Sequence, residues 1–445
     1  MTPTTSNRLR VLLLAEACNP TWTSVPLVGY NIARALAERP DLDVTLVSHV
    51  RNREALLADP IAARATLSFI DNEHIARPFY LASRVLRGGK ALSWTTATAM
   101  GWPAYMAFEN QVANRFGRAL DGGRFDLVHR VTPVSPTLSS PLASRTRMPM
   151  ILGPLNGGLP WPADYPELRR QEREWLVPLR GLYKLLPYFA STYRHAAAVI
   201  AGSRHTAGEV PKAYRGRRYL MAENGVDPAR FPIAEGWTPP AGRFRFVTVG
   251  RLVPYKGADL ILEAMAGSKV LRECELLVIG DGPQRAALEG QAQAAGLADR
   301  VRFAGWLEQV VMGRELRGSQ AFVFPSLREF GGGVVLEAMS AGLPSVIVDY
   351  GGPAELVTPE CGVLLPMQPR QPLVARLREA MERLAGDADA CRSMGRHACE
   401  LVRDEFTWEA KASRLSGIYR DVVGSGAKAT PPAVCESSRK SIVGQ

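Results

Sequence analysis

Short apolar runs alternate with longer stretches of helical periodicity along this chain, and the alternation occurs twice. Runs at 9–14, 44–48, 67–70, 125–129, 148–152 and 197–201 have strand length and are rich in Val, Leu, Ile and Ala. Between the first two, apolar side chains recur at 27, 28, 32, 33 and 36, the spacing of one helix face over residues 27–38. Strands separated by helices make βαβ units, and such units close into a parallel sheet. A Pro/Gly-rich stretch at 236–242 interrupts the pattern, which then returns. Strands are expected at 244–249, 276–279, 301–303, 321–324 and 345–348, and helices at 258–266, 283–295, 333–341 and 373–384. The pattern predicts an α/β fold of two doubly wound, Rossmann-like domains facing a cleft, 1–235 and 243–405, joined by the linker 236–242. A further amphipathic helix is expected at 406–424, with Trp408, Leu415 and Tyr419 on related faces, packing back on the first domain. The small, polar residues 425–445 have the composition of a disordered tail. A chain of 445 residues is too long for one ordinary core and suits two.

Composition narrows the partners. Hydrophobic residues at 46% and charged residues at 22% are those of a water-soluble globular chain. No apolar window approaches the roughly 18 residues of a membrane-spanning helix. The apolar run Val11-Leu12-Leu13-Leu14 is too short for a signal sequence and is soon followed by Glu16, so a cytoplasmic location is expected. Lys and Arg number 54 against 43 Asp and Glu, a net charge of +11 that favours anionic partners. Nucleotide phosphates and anionic lipid headgroups fit; nucleic acid is set aside, because no zinc-finger spacing or aromatic RNA-binding signature is present. The six cysteines are scattered without a C-x-x-C pair, as expected of reduced thiols. Residues 169–193 mix Arg169, Arg170, Arg173, Arg180 and Lys184 with Trp175, Leu176, Leu179 and Tyr183. Such a segment either lies on an anionic membrane, giving peripheral association, or packs on its own domain.

Doubly wound sheets bind ligands beyond the carboxyl ends of their strands, where strand order reverses. Two motifs occupy such positions. Leu327-Arg328-Glu329-Phe330-Gly331-Gly332-Gly333 follows an expected strand and opens the helix that carries Glu337. The free amides and dipole of a helix start attract an anion, and Gly331, Gly332 and Gly333 would let a phosphate approach the backbone. Glu337, a turn further in, tilts toward the N-terminus within reach of a sugar hydroxyl, and Glu329 sits in the loop before it. The alternative is a tight glycine turn with glutamates complementing the dipole. In Gly250-Arg251-Leu252-Val253-Pro254-Tyr255-Lys256-Gly257, Arg251 leaves the second domain's first strand and Lys256 precedes its first helix. The two make either a clamp for a diphosphate or a solvated basic loop. Gly280-Asp281-Gly282 also follows a strand, but Arg285 stands where a dinucleotide-binding loop needs its third glycine, so no nicotinamide, flavin or other cofactor is expected.

The Glu-x7-Glu spacing from Glu329 to Glu337, the following Ala-Met-Ser-Ala-Gly-Leu-Pro, Gly-Arg-Leu…Lys-Gly at 250–257 and Val-Ile-Gly-Asp-Gly-Pro at 278–283 together resemble the retaining glycosyltransferases of family GT4. The resemblance covers most of 244–366 and implies the GT-B architecture. It implies transfer from a nucleotide-diphosphate-sugar donor to a sugar, glycan or lipid-linked acceptor, with retention at the anomeric carbon and without a metal. It further implies that Glu337 holds the ribose, Glu329 contacts the donor sugar, and Arg251 and Lys256 bind the diphosphate. The order Phe330-Gly331-Gly332 departs from the family's usual Gly-Phe-Gly after the first glutamate.

The first half is less specific. Gly29 either faces the donor phosphates from a helix start or serves helix packing. His129, expected to close its strand, either approaches the donor sugar with catalytic effect, as relatives imply, or is satisfied by backbone. Gly153-Pro154-Leu155-Asn156-Gly157-Gly158 resembles a stretch of bacterial polysaccharide glycosyltransferases, and offers acceptor contact or a tight turn. A GT-B-shaped sugar-nucleotide epimerase or hydrolase, or a non-catalytic nucleotide-sugar-binding partner, are the competing functions.

Overall fold

A computed structural model describes residues 8–87, 94–171, 183–234 and 242–424. The centre of the basic segment at 169–193, all but the last residue of the linker 236–242, and the tail 425–445 lie outside the described residues.

Two parallel sheets carry the fold. The first comprises β1 (Leu9–Ala15), β2 (Leu42–His49), β3 (Thr66–Ile70), β4 (Leu127–Thr132), β5 (Met150–Leu155), β6 (Ala196–Ala201) and β7 (Arg217–Leu220), in the order β3-β2-β1-β4-β5-β6-β7. The second comprises β8 (Arg245–Val249), β9 (Glu275–Ile279), β10 (Val301–Gly305), β11 (Ala321–Phe324), β12 (Ser345–Val348) and β13 (Gly362–Leu365), in the order β10-β9-β8-β11-β12-β13. Helices cover both faces, which is why the strands are continuous apolar runs rather than alternating ones. Val11, Leu12, Leu13 and Leu14, for example, are all fully buried. Each sheet reverses its order once, between β1 and β4 and between β8 and β11. The expected α/β architecture of two doubly wound sheets is therefore the one observed.

Two strands were not legible. Arg217-Arg218-Tyr219-Leu220 is a half-exposed edge strand of mixed polarity, and Gly362–Leu365 is four residues long and begins on glycine. Of the strand boundaries that shift by a few residues, one bears on the site: β4 runs from Leu127 to Thr132, so His129 lies inside its strand rather than closing it.

The helix Trp408–Gly424 follows the second sheet in sequence but belongs to the first core. Trp408, Ala412, Leu415, Ile418, Tyr419 and Val422 pack with Ile32 and Leu36 of the helix Val25–Ala37 and with Val11 and Leu13 of β1. The chain thus crosses between the sheets twice, and the two crossings lie side by side. Val226 N–H donates to Phe406 O at 2.8 Å, and Trp408 N–H to Val226 O at 3.3 Å. Loops beyond β5 and β6 meet loops of the second sheet directly. Arg328 Nε and Nη2 donate to Leu159 O at 3.1 and 3.0 Å, Tyr350 Oη to Pro160 O at 2.8 Å, and Arg204 N–H to Glu355 Oε1 at 2.8 Å. Among the described residues no helix is long and apolar enough to cross a membrane.

Leu415 is 1% exposed. Leu415→Ala should cost about 2–5 kcal/mol of first-domain stability, read as a lower urea midpoint, through lost burial and the cavity left behind. A cost under about 1 kcal/mol would show that this helix is not part of the first core.

Candidate functional site

The loop after β8 is shaped by two glycines that follow the neighbouring strand β9. A side-chain carbon at Gly280 would lie 2.0 Å from Gly250 O, and one at Gly282 would lie 2.4 Å from Leu252 O. Gly250 N–H donates to Ile279 O at 3.0 Å and Leu252 N–H to Asp281 O at 2.9 Å. Gly-Asp-Gly is therefore a seat for the backbone at 250–252, which holds the rest of that loop over the carboxyl edge of the sheet. Arg251 is exposed there, with no side-chain partner among the described residues. Lys256 Nζ donates to Glu329 Oε2 and stands 5.1 Å above the Phe324 ring.

The loop after β11 is tied to the first at its base. Leu327 N–H donates to Tyr255 O at 2.8 Å, and Gly257 packs so tightly that a side-chain carbon would fall 2.5 Å from Pro325 O. The three glycines that follow have three different reasons. At Gly331 a side-chain carbon would meet Asn224 Nδ2 at 2.2 Å and Glu223 Oε1 at 2.3 Å. Gly332 is the N-cap of the helix Gly333–Ser340 with φ +63°, a left-handed conformation that glycine adopts at little cost. Gly333 meets only Asn224, at ordinary contact distance. Beyond them the first amides of the helix have no intrahelical acceptor, the usual condition of a helix start. Glu337, partly buried on that helix, has no carboxylate partner among the described residues, and burial pushes its carboxyl up to about 7. A desolvated acid of this kind beside a strand-order reversal is a candidate for ligand contact.

Arg251, Lys256, Glu329, Gly331, Gly332, Gly333 and Glu337 therefore gather where β8 and β11 part. Gly29 and His129 are placed elsewhere. Gly29 is the fifth residue of its helix, not its start, and a side-chain carbon would lie 2.3 Å from Ala17 O. Its glycine serves close packing of the helix on the loop after β1. His129 is fully buried, with Nδ1 2.6 Å from Tyr419 Oη and Nε2 2.7 Å from Gly153 O. Burial pushes the imidazole down to about 4, so the ring is neutral, and both nitrogens are occupied. The expectation that it overhangs the cleft is corrected: interior position in β4 turns it toward the C-terminal helix. Two residues without an assigned role prove to matter. Arg328 stacks over Trp161 at 4.6 Å and Phe330 at 5.1 Å, and Asn156 Nδ2 donates to Phe330 O at 2.8 Å. Their only signals were the motifs that contain them, 327–333 for Arg328 and 153–158 for Asn156.

Residues 231–398, which contain the whole second sheet, match the family described as Glycosyl transferases group 1. The second domain is a glycosyltransferase group 1 domain. An alpha-D-kanosaminyltransferase of Streptomyces kanamyceticus is 32% identical over 176 residues, covering 39% of this chain and 45% of that protein. A glycogen synthase of Mycobacterium tuberculosis is 32% identical over 204 residues, 45% of this chain and 47% of that protein. The chain thus spans about half the length of these curated relatives. The likeness in fold is longer: sucrose-phosphate synthase of Thermosynechococcus elongatus superposes with a TM-score of 0.64 at 20% identity, covering 94% of this chain and 100% of that one. The group 1 domain contains every residue gathered at the β8–β11 crevice. The loop from Asn156 to Trp161 reaches it from the first domain.

The crevice wall is intolerant of added volume where backbone meets backbone. A side-chain carbon at Gly352 would fall 1.9 Å from Phe330 O, whereas at Gly290, exposed on the helix Arg285–Ala294, nothing lies within 4 Å. Gly352→Ala should lower the melting temperature and Gly290→Ala should raise stability by about 0.5–1 kcal/mol through helix propensity. Equal melting curves for the two variants would mean that the Phe330 loop is not packed as described.

Proposed function

We propose that this chain is a retaining, metal-independent glycosyltransferase using a nucleotide-diphosphate-sugar donor, with a sugar or glycan as acceptor. The observation that carries the reading is the Lys256–Glu329 pair across the β8–β11 crevice, flanked by Arg251 and Glu337, which have no side-chain partner among the described residues. Strand reversal at that point leaves a crevice between two loops, the ordinary ligand position of a doubly wound sheet. The cations stand on the β8 side of it, and the two glutamates and the start of the helix Gly333–Ser340 on the β11 side.

The chemistry follows from those charges. As the bond from the anomeric carbon to the diphosphate breaks, negative charge grows on the departing phosphate oxygens. Arg251, Lys256 and the helix amides meet that charge, the task a divalent cation performs in other transferases. Lys256 exchanges Glu329 for phosphate as donor binds, which frees the Glu329 carboxylate for a hydroxyl of the donor sugar. Glu337 takes the ribose. The acceptor approaches from the first domain on the same face as the leaving group, which preserves configuration without an enzyme nucleophile. Structures similar in fold include Anabaena HepE with UDP and glucose, which shares 18% identity at a TM-score of 0.54, with 93% of this chain and 100% of that one covered.

Arg251→Ala and Lys256→Ala should each lower turnover by about 10²–10³, the usual scale for one charge-stabilising group in a dry site. Glu337→Gln should mainly raise the donor KM, and Glu329→Gln should mainly lower kcat. Full turnover in Arg251→Ala together with normal nucleotide affinity in Glu337→Gln would place the donor elsewhere.

Transfer from UDP- or GDP-sugars should persist in excess EDTA, since side-chain cations meet the leaving group. Loss of transfer that returns with Mg²⁺ or Mn²⁺ would overturn metal independence.

A further inference from the structure

One buried carboxyl near the crevice has no role in the reading above. Glu223 lies on the crossing after β7 and is 8% exposed. Its Oε1 accepts from Asn156 Nδ2 at 2.7 Å, and the same nitrogen donates to Phe330 O at 2.8 Å. Its Oε2 is buried with no hydrogen-bond partner among the described residues. The carboxyl fills the volume in front of Gly331, its Oε1 2.3 Å from where a side-chain carbon there would stand, and its Oε2 lies 2.7 Å from where a side-chain carbon at Gly202 would stand. A carboxyl from the interdomain crossing therefore occupies the side-chain space of the loop that carries Glu329.

We propose that Glu223 is a positioning residue for the donor loop: through Asn156 and by contact with Gly331 it sets where the Phe330 carbonyl and the amides of Gly331 and Gly332 stand. This deepens the function proposed above and rests on it for the identity of the loop's ligand.

The charges around Glu223 make the role dependent on its proton. Lys411 faces it from the C-terminal helix, with Arg414 and Glu405 near that lysine, and Glu329 faces it from the donor loop. Burial pushes the carboxyl up to about 7, against the Asn156 hydrogen bond and the attraction of Lys411. Burial likewise pushes the Lys411 ammonium, which donates to Ala222 O, down to about 7. An incoming diphosphate adds negative charge beside Gly331. Neutral Glu223 tolerates it, and the ionised form repels it while leaving Oε2 charged and unpaired. Nucleotide affinity should therefore fall as pH rises through this titration.

The test compares wild type with Glu223→Gln, which keeps the Asn156 contact and cannot ionise, and with Glu223→Ala, which empties the space. UDP and GDP are titrated calorimetrically at about pH 6 and about pH 8, so that ionisation of the nucleotide and of Glu337 cancels between variants. The loss of affinity across that range should be about tenfold greater in wild type than in Glu223→Gln. In the absence of nucleotide, amide exchange at 329–333 should quicken in Glu223→Ala and be restored in Glu223→Gln. Identical pH dependence in wild type and Glu223→Gln, with unchanged exchange in Glu223→Ala, would overturn the positioning role. If wild type binds neither nucleotide, the donor reading fails, and the exchange measurement still decides whether Glu223 positions the loop.

Discussion

Parallel strands deliver all their following loops to one edge, and where strand order reverses the adjoining loops run apart. That constraint places the crevice of the second domain between β8 and β11. The Lys256–Glu329 pair spans it, joining loops 73 residues apart in sequence. The glycines at 280 and 282 seat one loop, and contacts from Tyr255 tie it to the other. Everything chemical about the site depends on these backbone placements, since Arg251 and Glu337 have no side-chain partners among the described residues to orient them.

The glycines around the crevice answer to geometry of two kinds. Gly332 supplies a backbone conformation, Gly282, Gly331 and Gly352 supply missing volume where another segment approaches, and Gly280, with φ +126°, supplies both. The displacement of phenylalanine ahead of the glycines, relative to the pattern of GT4 transferases, has a physical counterpart here. Phe330 stacks with Arg328, and the next position must be glycine because Glu223 and Asn224 fill the space beside it.

The C-terminal helix binds the two halves into one molecule. By returning to the first core it brings Tyr419 to His129 and Lys411 to the crossing that carries Glu223. A histidine that would be a plausible acid or base on a free strand end is thereby consumed as a packing element. A lysine far along the chain becomes a buried neighbour of Glu223.

Hydrophobic periodicity by itself determined the fold class and most of the strands, because a parallel sheet covered on both faces needs continuous apolar runs. It was silent on β7 and β13, whose edge position and short length remove that requirement. Motif spacing determined which residues of the second domain lie beyond strand ends, since strand, turn and helix follow one another locally there. Tertiary structure alone decided the rest. Whether His129 points to the cleft or the core depends on a helix 290 residues away, and which atoms surround Gly331 depends on a crossing more than a hundred residues upstream. Local pattern cannot report such contacts, because the side chain that fills a space is chosen by the path of the whole chain.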